Sequence, residues 1–398
     1  MAEDVLSLFG TGKSGRAMDE DTLPRSEVGG KAGLLPAQHI EALLRRRKIR
    51  AADEVAADQV QPASLDLRLG AKAYRVRASF LPGRERTVLE QLATLKQHEI
   101  TLDGGAVLEQ GCVYLVELQE QLELPATIAA IANPKSSTGR IDVFTRLIAD
   151  HSEAFDWVEA GYRGPLYAEI FPRTFSIKVR KGSRLNQIRF LRRTGSQDRY
   201  WRPSLSDAEL RALDARTPLI DGEAGKATIR FGLNVRVDLR GEGKGAVIGY
   251  RALRYTEVVD VDGKGAHERK EFWEPMRSHG GRLILNPNQF YILASKERIF
   301  VPPAFAAEMI PIDPMMGEFR AHYAGFFDPG FGARDDGGAG SRAVLEVRTL
   351  DVPFVLEDGQ IIARLVYEHL AEAPVRVYGR GIKSHYQGQG LKLSKHFR

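Results

Sequence analysis

The chain has one cysteine, Cys112, in 398 residues. No internal disulfide can form, and a zinc site needing two or three thiolates is excluded, so no zinc is expected. No apolar run approaches the roughly 18 residues that span a membrane. The N-terminus, MAEDVLSLFGTGKSG, has acidic residues where a secretory signal wants basic ones, and no long apolar core follows it. A cytoplasmic protein without a membrane partner is therefore expected. His39, His98, His151, His267, His279, His322, His369 and His396 show no metal-ligand spacing, although His322 lies close to a later motif. The Gly-rich stretches GKGAHERKEF and GARDDGGAG lack the form and the strand-to-helix setting of a P-loop and read as surface loops. The net charge of +5 favours anionic partners but is spread thinly, and no nucleic-acid partner is expected. The densest basic run, RRRKIR at 45–50, follows Ile40, Leu43 and Leu44 of an expected helix over 36–47. A solvated helix end explains it as well as a ligand does.

What the chain does have is an internal repeat. VYLVELQEQLELPATIAAIA (113–132) is matched by FYILASKERIFVPPAFAAEM (290–309), and the stretch at 166–190 by that at 343–367. Tyr114 and Tyr291, Pro125 and Pro302, Glu169 and Glu346, and Gly182 and Gly359 are all separated by one and the same interval. Four anchors with one offset mark a tandem duplication. Short alternating segments bounded by turn residues make each copy mainly β. The expected organisation is a mobile segment at 1–33, a first module at 34–195, a connector at 196–227 and a second module at 228–398. Ser206 and Glu209 have capping-box spacing before Leu210 and Leu213, so a short helix is expected within the connector.

The stretch NPKSSTGR at 133–140 sets Lys135, Ser136, Ser137, Thr138, Gly139 and Arg140 in a row. By itself it reads either as turn chemistry or as a cradle for phosphate. Its company is more specific: QPASLDLRLG (61–70), AGFFDPGF (324–331), AVLEV (343–347), GSRLNQIRF (182–190) and YGRGIKSHYQGQG (378–390). Together these segments, spread over most of the chain from about residue 36, resemble the dCTP deaminase branch of the trimeric dUTPase superfamily, in its two-module form.

That resemblance implies two tandem distorted β-barrel, jelly-roll-like modules with a few short helices. It also implies hydrolytic deamination of dCTP to dUTP and ammonia, with no metal at the reacting carbon and a Glu as general base and then proton donor. The duplication supplies two candidates, Glu169 and Glu346. The first module keeps the serine-arginine loop but has the longer IADHSEAFDWVEAGYRG where the compact hairpin should follow. The second keeps the hairpin, but its DPMMGEFR (313–320) lacks the serine pair. One composite site per chain is therefore expected, with Glu346 favoured over Glu169.

In that site the resemblance gives the hydroxyls and amides of Ser136, Ser137, Thr138 and Gly139 to phosphate, with Ser136 also near the reacting centre. Arg140 would stabilise charge and orient Glu346. Lys135 stands where the family commonly has Arg, and so loses the bidentate fork. Asp328 would meet the deoxyribose or base, and the backbone beside Val344 and Leu345 the cytosine edge. Phe326 and Phe327 read as packing rather than stacking residues. Tyr378, His385 and Gln389 would close over the triphosphate, with His385 at the usual Lys position and Lys383 as an alternative cation. Mg2+ would accompany the substrate triphosphate. Two modules per chain cannot close a three-fold axis, whereas three chains supply six, so a homotrimer is expected. The rival readings are a dUTPase, a bifunctional enzyme that continues to dUMP, and a nucleotide-binding regulator that has lost catalysis.

Overall fold

The computed structural model describes residues 31–195, 198–221, 225–241, 243, 245–311, 319–321 (backbone only), 325–333, 340–349, 351–379 and 388–398. The chain is mainly β with a few short helices, and the offset of the sequence repeat recurs in its strands. Strand Ile128–Pro134 corresponds to Phe305–Pro311, with both ends displaced by that same interval. Val113–Glu123 likewise corresponds to Phe290–Ile299, and Arg163–Pro172 to Ser341–Thr349. The pairings repeat too. Val113–Glu123 is antiparallel to Arg163–Pro172, as Phe290–Ile299 is to Ser341–Thr349. Ile128–Pro134 is antiparallel to Asn186–Arg192, as Phe305–Pro311 is to Ile361–His369.

Local sequence accounts for the helices. Ala37–Arg45 starts after Pro36 and buries Ile40 and Leu43; it stops short of Arg47, which has a left-handed φ of 54°. Asp207–Arg216 is capped by Ser206, whose Oγ accepts from Glu209 N while the Glu209 carboxylate accepts from Ser206 N at 2.7 Å. Cys112 is half-buried one residue before the strand Val113–Glu123. Among the described residues no helix is long and apolar enough to cross a membrane.

The two halves are joined by apolar packing as well as by ion pairs. The large first-half cluster continues into Phe272, Trp273, Phe290, Ile292 and Val344. Phe175 packs edge-on against Phe272 and Trp273, with centroids at 5.6 and 5.5 Å. Strand Ser341–Thr349 shows how this contact is built. Ala343, Leu345 and Val347 lie in the core of their own half, while Val344 joins the core of the other. With a side-chain period of two, Val344, Glu346 and Arg348 share that second face.

Candidate active site

The serine loop follows a fully buried strand, Ile128–Pro134. Lys135 N donates to Leu185 O at 2.8 Å, and Thr138 Oγ1 donates to the same carbonyl at 3.0 Å. Ser136–Gly139 then make one helical turn. The amides of Thr138, Gly139 and Arg140 bond within the turn. Those of Ser136 and Ser137 have no partner among the described residues, the expected state of the first amides of any helical turn.

The turn delivers Arg140 to the second half. Arg140 is buried, with Nε 3.9 Å from Glu346 Oε1, and its Nη1 donates to Gln389 Oε1 at 3.1 Å and Lys392 O at 3.0 Å. Two residues on, buried Asp142 accepts from Arg348 Nη2, while Thr174 Oγ1 donates to Asp142 at 2.5 Å. Loop and strand thus meet as two ion pairs of opposite order, Arg140 with Glu346 and Asp142 with Arg348.

Among the described residues, Arg140 is the one cation paired with the buried Glu346 carboxylate. Burial pushes its pKa up to about 7, with Arg140 pulling the other way. At neutral pH it therefore sits near the midpoint between accepting and donating a proton. Glu169, its counterpart in the first copy of the repeat, is in a different situation. Its Oε1 accepts from Arg146 Nη2 at 2.6 Å and Nε at 3.2 Å. The two residues are cross-strand partners, and the guanidinium lies 3.5 Å over the Phe155 ring. Glu169 is an ion-paired carboxylate on the first half's own sheet, whereas Glu346 faces the serine loop.

The hairpin at 326–331 is fixed by one residue of the first half. Arg189, fully buried, donates from Nη1 to Ala307 O at 3.1 Å and from Nη2 to Phe327 O at 3.0 Å and Asp328 Oδ1 at 3.2 Å. Its guanidinium stacks 4.0 Å from the Phe326 ring, and Phe327 packs edge-on against Phe331 at 4.8 Å, so both phenylalanines serve packing. Burial raises the Asp328 pKa; Arg189 opposes this, Asp66 adds to it, and Lys135 opposes it further. The hairpin carboxyl therefore lies within electrostatic reach of the serine loop. Gly330 turns the hairpin at φ 89°, where a Cβ would sit 3.0 Å from Val377 Cβ. Tyr378 N donates to Pro329 O at 2.7 Å, and its ring lies 5.8 Å from Phe331.

Val344 and Leu345 are both buried in strand Ser341–Thr349, opposite Ala294 and Leu293. The tail returns to the loop: Gln389 Nε2 donates to Arg342 O at 3.1 Å, and Ser394 Oγ to Ser137 O at 2.9 Å. His396 anchors it, with Nε2 2.9 Å from Val261 O and Nδ1 2.9 Å from Ser394 Oγ. Burial pushes the His396 pKa down to about 4. His385, Lys383 and His322, the segment 312–318 and the first 30 residues lie outside the described residues.

Contacts missed in the sequence centre on Asp66, Arg189 and the last residues of the tail. Lys135 Nζ is paired with buried Asp66 Oδ2, although Asp66 stands within QPASLDLRLG and a charge inside an otherwise apolar strand is a readable signal. Arg189 gives the same signal inside NQIRF. Ser394 and Lys392, the latter acting through its carbonyl, give none. Lys135, Ser136, Ser137, Arg140, Glu346 and Gln389 are gathered within one chain by the contacts above. Among the described residues no three His, Cys, Asp or Glu side chains cluster as metal ligands would.

Comparison with known proteins gives a consistent picture. The family model for the 2'-deoxycytidine 5'-triphosphate deaminase N-terminal domain matches residues 31–195, and that for the C-terminal domain matches 206–397. The chain is similar to the crystal structure of 2'-deoxycytidine 5'-triphosphate deaminase from Agrobacterium tumefaciens. The TM-score is 0.80 at 52% identity, covering 86% of this chain and 99% of that one. Among curated proteins, a dCTP deaminase, dUMP-forming, from Methanoculleus marisnigri is 31% identical over 168 residues, 41% of this chain and 81% of the relative. One from Persephonella marina is 28% identical over 141 residues, 35% of this chain and 72% of the relative.

Proposed function

The chain belongs to the dCTP deaminase family, and from that premise we propose that it catalyses dCTP + H2O → dUTP + NH3, a hydrolysis at C4 of the cytosine ring. The observation that carries the mechanism is Glu346, buried 3.9 Å from Arg140 with its pKa raised to about 7. In the first step Glu346 takes a proton from water as the oxygen attacks C4. In the second it returns a proton to the exocyclic nitrogen, which leaves as ammonia while the C4–N bond breaks. A carboxyl poised near neutrality serves both steps. Arg140 orients Glu346 and meets negative charge developing at the ring. Ser136 borders the reacting centre, and the Ser136 and Ser137 amides and hydroxyls bind phosphate beside Lys135. Asp328 holds the deoxyribose or base, and the tail with Tyr378 and Gln389 closes the site. The substrate enters as its Mg2+ complex. The loop offers hydroxyls and cations rather than carboxylates, so phosphate oxygens and water hold the ion. The functional unit is a cytoplasmic homotrimer.

The dUMP-forming names of the curated relatives favour a second reading, in which dUTP is hydrolysed further to dUMP and pyrophosphate. One assay tests both: incubate with dCTP and Mg2+, then follow ammonia, dUTP and pyrophosphate. Ammonia with accumulating dUTP supports the deaminase, and pyrophosphate in step with ammonia supports the dUMP-forming reaction. Tight binding without ammonia would refute both and indicate a nucleotide-binding regulator.

A further inference from the structure

The serine loop has less available positive charge than its sequence suggests. Lys135 shares buried Asp66 with Arg184, and Arg140 is held by Gln389, the Lys392 carbonyl and Glu346, so the loop's cations are already engaged before any phosphate arrives.

The C-terminal tail brings another cation into the neighbourhood of the loop. Ser394 Oγ donates to Ser137 O at 2.9 Å, and Gly265 N donates to Lys395 O at 2.9 Å. The Ser394 side chain and the Lys395 carbonyl are thus both held. The Lys395 side chain is partly buried, and none of the ion pairs among the described residues involves it. A cleft of about 350 Å³ runs beside it, lined also by Tyr250, Lys264, Arg269 and Lys392. Burial and the nearby charges of Lys135 and Lys264 hold its ammonium below the ordinary lysine value, while Asp66 and Asp262 offset this in part. A surface lysine ordinarily extends into water or pairs with a carboxylate. Lys395 is instead partly withdrawn from water among like charges, an arrangement that an arriving anion relieves.

We propose that Lys395 is a phosphate-binding residue of the nucleotide site, meeting the distal end of the dCTP triphosphate beside Lys135 and the Ser136–Ser137 turn. This deepens the dCTP reading and rests on it. Steady-state kinetics of wild type, Lys395→Met and Lys395→Arg with dCTP and dCDP test it, with melting temperatures confirming folding. For Lys395→Met the expected result is a KM for dCTP raised about tenfold to a hundredfold, the loss of one charge-assisted contact. Its kcat should stay within about twofold, the KM for dCDP should change much less, and Lys395→Arg should restore most of the loss. If wild type does not deaminate dCTP, the reading of function fails. If wild type is active and Lys395→Met leaves the KM for dCTP unchanged, or raises it equally for dCDP, this inference is overturned. Should Lys395→Met not fold, Lys395→Gln takes its place under the same criteria.

Discussion

Replacing Glu346 with Gln should remove deamination and at the same time stabilise the substrate-free protein above neutral pH. The magnitude follows from the pKa, which burial moves from an ordinary 4.5 to about 7 despite Arg140. At about 1.36 kcal/mol per pH unit, the ionised carboxylate costs the fold about 3 kcal/mol. The sign follows from proton counting. Between pH 4.5 and 7 the folded state binds more protons at this position than the unfolded state, so wild-type stability falls as pH rises through that window and levels off above it. Gln mimics the neutral acid and does not titrate. The two proteins should therefore melt together near pH 4.5 and diverge up to pH 7, with the variant roughly 4 °C higher at pH 8. Differential scanning fluorimetry from pH 4.5 to 8.5 measures this, and ammonia release from dCTP measures the catalytic loss. A variant less stable than wild type at pH 8 would refute the reasoning. It would mean that Arg140 outweighs burial and that Glu346 is ionised at neutrality, a poor donor for the departing amine.

Glu169→Gln should behave in the opposite way. It weakens the pair with Arg146, lowering stability by about 2 kcal/mol at neutral pH while ammonia release persists; abolished turnover in a folded variant would transfer the general-base role to Glu169. Arg189→Met should lower stability by about 3 kcal/mol, because Asp328 and Glu368 lose a buried partner. It should also raise the KM for dCTP, and Asp328→Asn added to it should produce little further loss, which a double-mutant cycle would read directly.

Much of this arrangement can be read from residue order alone, and the part that cannot has a common cause. The repeat is visible because matching residues recur at one offset along strands of 7 to 11 residues, and the connector helix because Ser206 and Glu209 are local neighbours. Glu346 and Glu169 can be shortlisted but not separated on their own residues, since both are strand glutamates in apolar surroundings. What distinguishes them is the partner each meets: Arg146 on the adjoining strand, or Arg140 from the other half. The pairing of Lys135 with Asp66 spans 69 residues and that of Arg189 with Asp328 spans 139. Neither separation leaves a periodicity, so such contacts appear only once the sheets are assembled.

The two ion pairs of opposite order also bear on how a duplicated chain avoids confusing its own copies. If strand Ser341–Thr349 slipped by two residues, the smallest shift that keeps its faces, either Arg348 would meet Arg140 or Glu346 would meet Asp142. Both are like-charge contacts at a buried seam. The equivalent first-half strand cannot substitute, for at the positions matching Glu346 and Arg348 it carries Glu169 and Phe171, leaving Asp142 without a cation. Tandem copies of one fold are prone to exchanging strands as they form. Here the order of four charges opposes both that slip and that substitution.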